Sequence, residues 1–161
     1  IGSLIKRKNI DEILDLAVDF KDLTFHIIGD GFMRDELEKG SSSNVIFYGK
    51  LTHNKISDVL QNIDLHILLS RSEGFPKVIL ETASAGIPSI VYGDYGAEEW
   101  ITNNVNGFVL SRKEDVIEKI KELMLNPEML ILNSKEAVKL ADKFSWDKLI
   151  KKWEKEILKL K

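Results

Sequence analysis

The chain has 161 residues, 43% hydrophobic and 30% charged, with a formal net charge of −3, which is one domain of ordinary size able to bury a single core without staples. It has no cysteine and three scattered histidines, His26, His53 and His66, which excludes disulfides and thiolate metal sites and leaves no metal-ligand spacing. The interspersed charges give no basic footprint for nucleic acid, and no apolar run approaches the roughly 18 residues that a spanning helix needs, so a soluble domain suited to a reducing cytoplasm is expected.

The opening residues read as the tail of a strand, and the start on Ile1 without a signal pattern reads as an excised fragment. Short apolar runs at residues 23–28, 44–48, 64–69 and 88–92 are predicted strands, with a weaker one at 108–110. Their continuous apolar character suits strands buried on both faces. Amphipathic stretches at 10–20, 32–39, 54–61, 77–85 and 97–102 lie between them and can serve as crossovers between parallel strands. This repeated βα unit predicts an α/β fold with a doubly wound, Rossmann-like parallel sheet. Three further helices, at 113–125, 127–143 and 146–160, are predicted after the last strand. Punctuation supports these boundaries. Asn9 with Glu12 reads as an N-cap and its acidic partner, Pro127 as the first residue of a helix, and Ser145 as a cap. Gly86 with Pro88 ends one helix and admits a strand, and Asn106-Gly107 marks a turn.

Ligands of open parallel sheets bind beyond the carboxyl ends of the strands, so the loops after Leu4, Ile28, Tyr48, Leu69 and Tyr92 are where chemistry is expected. The first contains Gly2-Ser3 and then Lys6-Arg7-Lys8 ahead of a helix N-terminus, a pattern that suits a diphosphate and equally a solvated basic turn. The loop after Leu69 is the most informative. Gly74 permits close approach of a ligand, Pro76 sits where a missing N–H costs nothing, and the amides of Lys77 and Val78 open a helix, so together they form an anion cradle. Glu73 in this loop and Glu81 one turn into the helix are both reachable from one pocket, where carboxylates accept hydrogen bonds from sugar hydroxyls. The helix is apolar on most sides, so Glu81 is expected to be buried and to need a partner.

Residues 73–88, from Glu73-Gly74-Phe75-Pro76-Lys77-Val78 through Glu81 to Gly86-Ile87-Pro88, resemble the E-x7-E signature of the family 4 (group 1) retaining glycosyltransferases of the GT-B fold. The resemblance continues through Tyr95-Gly96-Ala97-Glu98-Glu99, similar to a G-G-x-x-E loop, and Asn106-Gly107-Phe108-Val109, similar to an N-G-x-L/V turn. Upstream, residues 2–9 are similar to the family's phosphate loop, Gly29-Asp30-Gly31 to its G-x-G turn, and 45–49 to its V-x-F-x-G strand. Phe144-Ser145-Trp146 is similar to the F-S-W that opens the last helix. The resemblance implies a single nucleotide-sugar-binding domain over residues 1–161, the C-terminal half of an enzyme whose N-terminal acceptor domain is absent. The enzyme would transfer a hexosyl group from a nucleoside diphosphate sugar to a glycan, lipid or other acceptor, as in polysaccharide biosynthesis.

The resemblance also implies roles. Glu81 would hold the ribose, Glu73 the transferred sugar, and the backbone from Gly74, Phe75 and Pro76 to Lys77 and Val78 the sugar and diphosphate. Lys8 and Arg7 would neutralise the diphosphate, Gly2 and Ser3 would belong to the same phosphate loop, and the loop from Gly49 to Leu51 would line the base pocket. No cofactor and no metal is implied, and the sequence has no D-x-D pair. No histidine inherits a catalytic role: His26 and His66 read as sheet residues and His53 as a loop residue.

The sequence departs from the family pattern at three positions. Ser3 stands where arginine is usual, with Arg7 beside Lys8 able to supply the second charge. Tyr95 stands for the first glycine of the G-G-x-x-E loop and puts a bulky side chain near the donor sugar, and Asn9 stands for a glycine. Two non-enzymatic readings share the doubly wound architecture: a module that only binds a nucleotide or nucleotide sugar, and a phospho-receiver-like domain. The receiver lacks its acidic pair and has Asp64 at the wrong end of a strand. The cluster Lys148, Lys151, Lys152 and Lys155 on the last helix reads as a solvated face rather than as a lipid contact.

Overall fold

A computed structural model describes residues 1–159. Five parallel strands alternate with helices: β1 (Phe25–Ile28), β2 (Val45–Gly49), β3 (His66–Leu68), β4 (Ser89–Tyr92) and β5 (Gly107–Leu110). The helices are α1 (Ile10–Asp19), α2 (Arg34–Gly40), α3 (His53–Leu60), α4 (Lys77–Ser84), α5 (Lys113–Leu125), α6 (Glu128–Lys143) and α7 (Trp146–Leu158). The end of the last predicted helix, at residue 160, lies outside the described residues.

The strands form two parallel ladders, β1–β2 and β3–β4–β5, rather than one continuous sheet. The predicted strand tail at the N-terminus is not a ladder strand. Its backbone nevertheless runs parallel to the end of β1, with Gly2 N donating to Ile28 O and Leu4 N to Asp30 O, both at 2.9 Å.

Helices cover both faces. On one side Ile13, Leu16 and Ala17 of α1 and Val116, Ile120 and Leu123 of α5 pack with Ile90, Tyr92 and Phe108. On the other, Ile79 of α4 and Leu140 of α6 pack with Leu68 and Val91. The alternation of Ile90, Val91 and Tyr92 between the two cores follows from the two-residue period of a strand, and all four β4 residues are buried. Each fully buried side chain of this size contributes about 1.5–3 kcal/mol. β2, by contrast, is mostly half-exposed, so the reading of doubly buried strands fails there.

Other local expectations are corrected. Residues 97–102 form only a single 3-10 turn, Ala97–Glu99. Ala97 and Ile101 are both anchored in the second core, and the Asn106 side chain accepts from Thr102 N at 2.8 Å and donates to Trp100 O at 3.3 Å, taking backbone groups that a helix would pair. Asn9 does not cap α1 with its side chain. It adopts the left-handed conformation, φ 55° and ψ 42°, which Asn tolerates, and its Nδ2 donates to Leu69 O at 3.2 Å. Ser145 holds α7 through its backbone oxygen alone, accepting from Lys148 N and Leu149 N. Pro127 sits just before the first residue of α6, and His53 is the first residue of α3 rather than a loop residue.

Candidate functional site

The loops at the carboxyl ends of the strands pack closely enough to restrict their residues. Gly29, at φ +140°, lies so close to the first loop that a Cβ would stand 1.7 Å from Gly2 O, and a Cβ on Gly31 would stand 2.4 Å from Leu4 O. The two glycines therefore let the first loop lie directly against the β1–α2 turn. Beside this junction is a cleft of about 530 Å³ lined by Gly2, Ser3, Gly29, Lys50, Leu51 and Ile56. It contains the residues expected for a base pocket, except that Gly49 is buried with its carbonyl accepting from Gly29 N at 2.9 Å.

The cations of the first loop, in a 3-10 turn at Lys6–Lys8, reach across to the loop after β3. Lys8 Nζ lies 2.6 Å from Glu73 Oε1 and Arg7 Nη1 lies 3.1 Å from Glu73 Oε2; the Lys8 and Glu73 side chains are only 14% and 7% exposed. Arg7 also donates to Ser72 O. Burial by itself would raise the Glu73 pKa, but hydrogen bonds from Lys8 and Arg7 outweigh it and hold the carboxyl below its ordinary value. The structure thus brings Arg7, Lys8 and Glu73 into one cluster.

α4 begins at Lys77 behind Pro76, and its first internal backbone bond at this end runs from Ile79 N to Pro76 O at 3.0 Å. The amides of Lys77 and Val78 are left among the donors a helix start cannot satisfy internally. Gly74 has open space around it: a Cβ there would meet nothing within 4 Å. Pro76 is buried, and Phe75 packs its ring 5.3 Å from Trp100 and 5.4 Å from Phe144.

Glu81 corrects the expectation of a buried carboxylate. α4 buries Ile79, Thr82 and Ala83, while Lys77, Glu81 and Ser84 are exposed. Only one face of the helix meets the core, so Glu81 projects into solvent without needing a protein partner.

Sequence reasoning missed a second polar network next to Glu73. Tyr92 Oη, at the end of β4, donates to Glu12 Oε2 at 2.5 Å. Arg71 bridges Glu12 at 3.3 Å and Asp94 at 3.1 Å, with its guanidinium 4.1 Å above the Tyr92 ring. Burial would raise the Glu12 pKa, but the Tyr92 hydroxyl and Arg71 bring it below the ordinary value. Glu12 is thus a link between α1 and two site loops rather than a capping acid. One signal was available: Glu12 precedes the buried Leu16 by four residues, on the core side of α1. Tyr95 packs at a tilt against Trp100, ring centroids 6.1 Å apart, and its buried hydroxyl has no hydrogen-bond partner among the described residues. Burial, with Glu73, Asp94 and Glu98 nearby, pushes its pKa up.

The histidines hold structural positions. His26 stacks on Tyr48 with Nδ1 2.8 Å from its hydroxyl, and His66 is buried with Nδ1 2.9 Å from Ser89 Oγ.

The parallel α/β architecture, with its charged loops gathered at one end of the strands, is that of the GT-B glycosyltransferases. Residues 1–140 match the family model described as glycosyl transferases group 1, and the chain belongs to that family. An uncharacterized glycosyltransferase of Methanocaldococcus jannaschii is 27% identical over 156 residues, covering 93% of this chain and 44% of that protein. The GtfA subunit of a UDP-N-acetylglucosamine–peptide N-acetylglucosaminyltransferase from Streptococcus agalactiae is 29% identical, covering 93% of this chain and 33% of its own. The chain therefore spans a third to under half of these relatives. Among solved structures, pneumococcal GtfA in complex with UDP and GlcNAc is similar with a TM-score of 0.82 at 21% identity, covering 98% of this chain and 35% of that one. Anabaena HepE in complex with UDP is similar with a TM-score of 0.78 at 23% identity, covering 88% and 43%. No helix among the described residues is long and apolar enough to cross a membrane.

Proposed function

We propose that this chain is the donor-binding domain of a retaining glycosyltransferase that moves a hexosyl group from a nucleoside diphosphate sugar to a glycan, lipid or other acceptor. The observation that carries the reading is the convergence of Lys8, Arg7 and Glu73 beside the loop that opens α4. In this reading the diphosphate lies between Lys8, Arg7 and the amides of Lys77 and Val78. Positive charge and oriented donors then stabilise the leaving group as its bond to the sugar breaks. Glu81 accepts hydrogen bonds from the ribose hydroxyls, and its exposure on α4 suits a group waiting for a ligand. Glu73 accepts from the transferred sugar, and the base enters the cleft at Lys50 and Leu51.

Both carboxylates position the donor rather than acting as an acid and nucleophile pair. The UDP bound to GtfA and HepE favours a uridine nucleotide as the first donor to test. The acceptor site and the rest of the catalytic machinery belong to a second domain of the whole protein, in keeping with the share of the relatives that this chain spans.

The test is calorimetric titration of the full-length protein with UDP, GDP, ADP and their hexose derivatives, alongside Glu81→Ala. Loss of one or two charge-assisted hydrogen bonds weakens binding by roughly 1.5–3 kcal/mol while the fold is retained. Unchanged affinity in the folded variant refutes the ribose assignment. Binding without sugar transfer to any acceptor favours a binding-only module.

A further inference from the structure

Lys8 and Arg7, the cations assigned to the diphosphate, are already occupied in this structure. Both reach the same carboxylate, at 2.6 Å and 3.1 Å, and Lys8 and Glu73 are almost completely shielded from water. Ion pairing shielded in this way is screened far less than a surface pair. A diphosphate that recruits these cations must share them with Glu73 or take them from it. On the reading that this is the donor site, we propose that Glu73 is a built-in counter-ion that competes with the diphosphate for Lys8 and Arg7. It thereby holds down the affinity for the free nucleoside diphosphate product and re-forms the ion pairs as that product leaves.

Two features support competition rather than simple support of the loop. The two partners come from different loops, the first loop and the β3–α4 loop, and Arg7 is further tied to the latter through Ser72 O. The junction therefore exchanges partners without unfolding an element. The sugar of an intact donor gives Glu73 hydroxyls to accept from, so the carboxylate that loses its cations to the diphosphate is re-satisfied. The free diphosphate offers it no such compensation. Glu73 therefore separates substrate from product by charge: tolerated beside a nucleotide sugar, it repels the nucleotide left behind.

Removing the Glu73 charge should therefore tighten a ligand of the same site. The probes are inorganic pyrophosphate and UDP, titrated into the full-length protein and into Glu73→Gln, Glu73→Met, Glu73→Asp and the double variant Lys8→Met/Glu73→Gln. Circular dichroism checks that each is folded. Freeing the shielded Lys8 and the half-exposed Arg7 from a competing carboxylate is expected to tighten pyrophosphate and UDP about 10-fold or more in the two uncharged variants. Glu73→Asp, which keeps the charge, should show no such gain, and the double variant should lose most of it. Equal or weaker pyrophosphate affinity in folded Glu73→Gln and Glu73→Met overturns the proposal. Failure of the donor-site reading looks different: wild-type protein then binds no nucleoside diphosphate in an Glu81-dependent manner, whatever Glu73 does to pyrophosphate.

Discussion

Replacing Lys8 by Met keeps the unbranched apolar stem of the side chain, one atom shorter, and removes its charge. In the folded protein Glu73 would then be left, at 7% exposure, with only Arg7 at 3.1 Å, and the Arg7 side chain is 46% exposed. Removing one partner of a buried pair costs roughly 3–5 kcal/mol; with Arg7 retaining part of the interaction, a loss of roughly 1.5–3 kcal/mol is expected. For a domain of this size that corresponds to a fall in Tm of roughly 3–12 °C. Urea and thermal unfolding of wild type, Lys8→Met, Glu73→Gln and the double variant form a cycle, with an expected coupling of about 1–3 kcal/mol. The pH dependence has a definite sign. Glu73 titrates lower in the folded chain than its ordinary value of 4.5, so its pairing stabilises the fold above that value and is lost as pH falls through the folded pKa. The deficit of Lys8→Met should therefore be full at pH 7 and shrink in acid. Additive single and double variants, or a deficit that does not change with pH, would refute the reasoning.

Three further outcomes follow from the same geometry. Gly29→Ala forces a Cβ into Gly2 O at a positive φ and should destabilise by roughly 3 kcal/mol or more, seen as a lower urea midpoint; a midpoint equal to wild type counts against the close loop contact. Gly74→Val meets open space in the protein, so stability should move by no more than about 0.5 kcal/mol, while calorimetry should register at least a roughly 10-fold loss of nucleotide-sugar affinity from close contact at the loop. Burial holds the His66 pKa well below its ordinary 6.5, so its neutral form stabilises the fold above that pH and the benefit is lost on acidification, at up to about 1.4 kcal/mol per pH unit. His66→Gln should flatten the stability profile below pH 6.5, measured by urea unfolding, and an unchanged slope would show that His66 does not contribute.

The sequence made the βα alternation legible because each strand is a short apolar run and each long helix carries a single apolar face; β4, α4 and α5 fall within a residue or two of their predicted bounds. Pro76, Gly86 and Pro88 also marked real boundaries. What was not legible depended on contacts distant in the chain. Asn9 has the composition of a cap, yet Leu69 O, sixty residues away, claims its amide. Residues 97–102 have helical periodicity, yet Asn106 and two buried anchors hold them out of a helix. Glu81 sits in an apolar-looking helix, but composition alone cannot indicate that only one face is covered. The Arg7–Lys8–Glu73 cluster was anticipated as separate roles for a bound donor, whereas their mutual pairing could be read only from the folded loops.

The most direct measurement is a crystal structure of the full-length protein with the nucleoside diphosphate that it binds most tightly. The account predicts phosphate oxygens within hydrogen-bonding distance of the Lys77 and Val78 amides and of Lys8 Nζ, with the base in the cleft of Lys50 and Leu51. A nucleotide bound elsewhere, with Lys8 still on Glu73 and the start of α4 uncontacted, would contradict it.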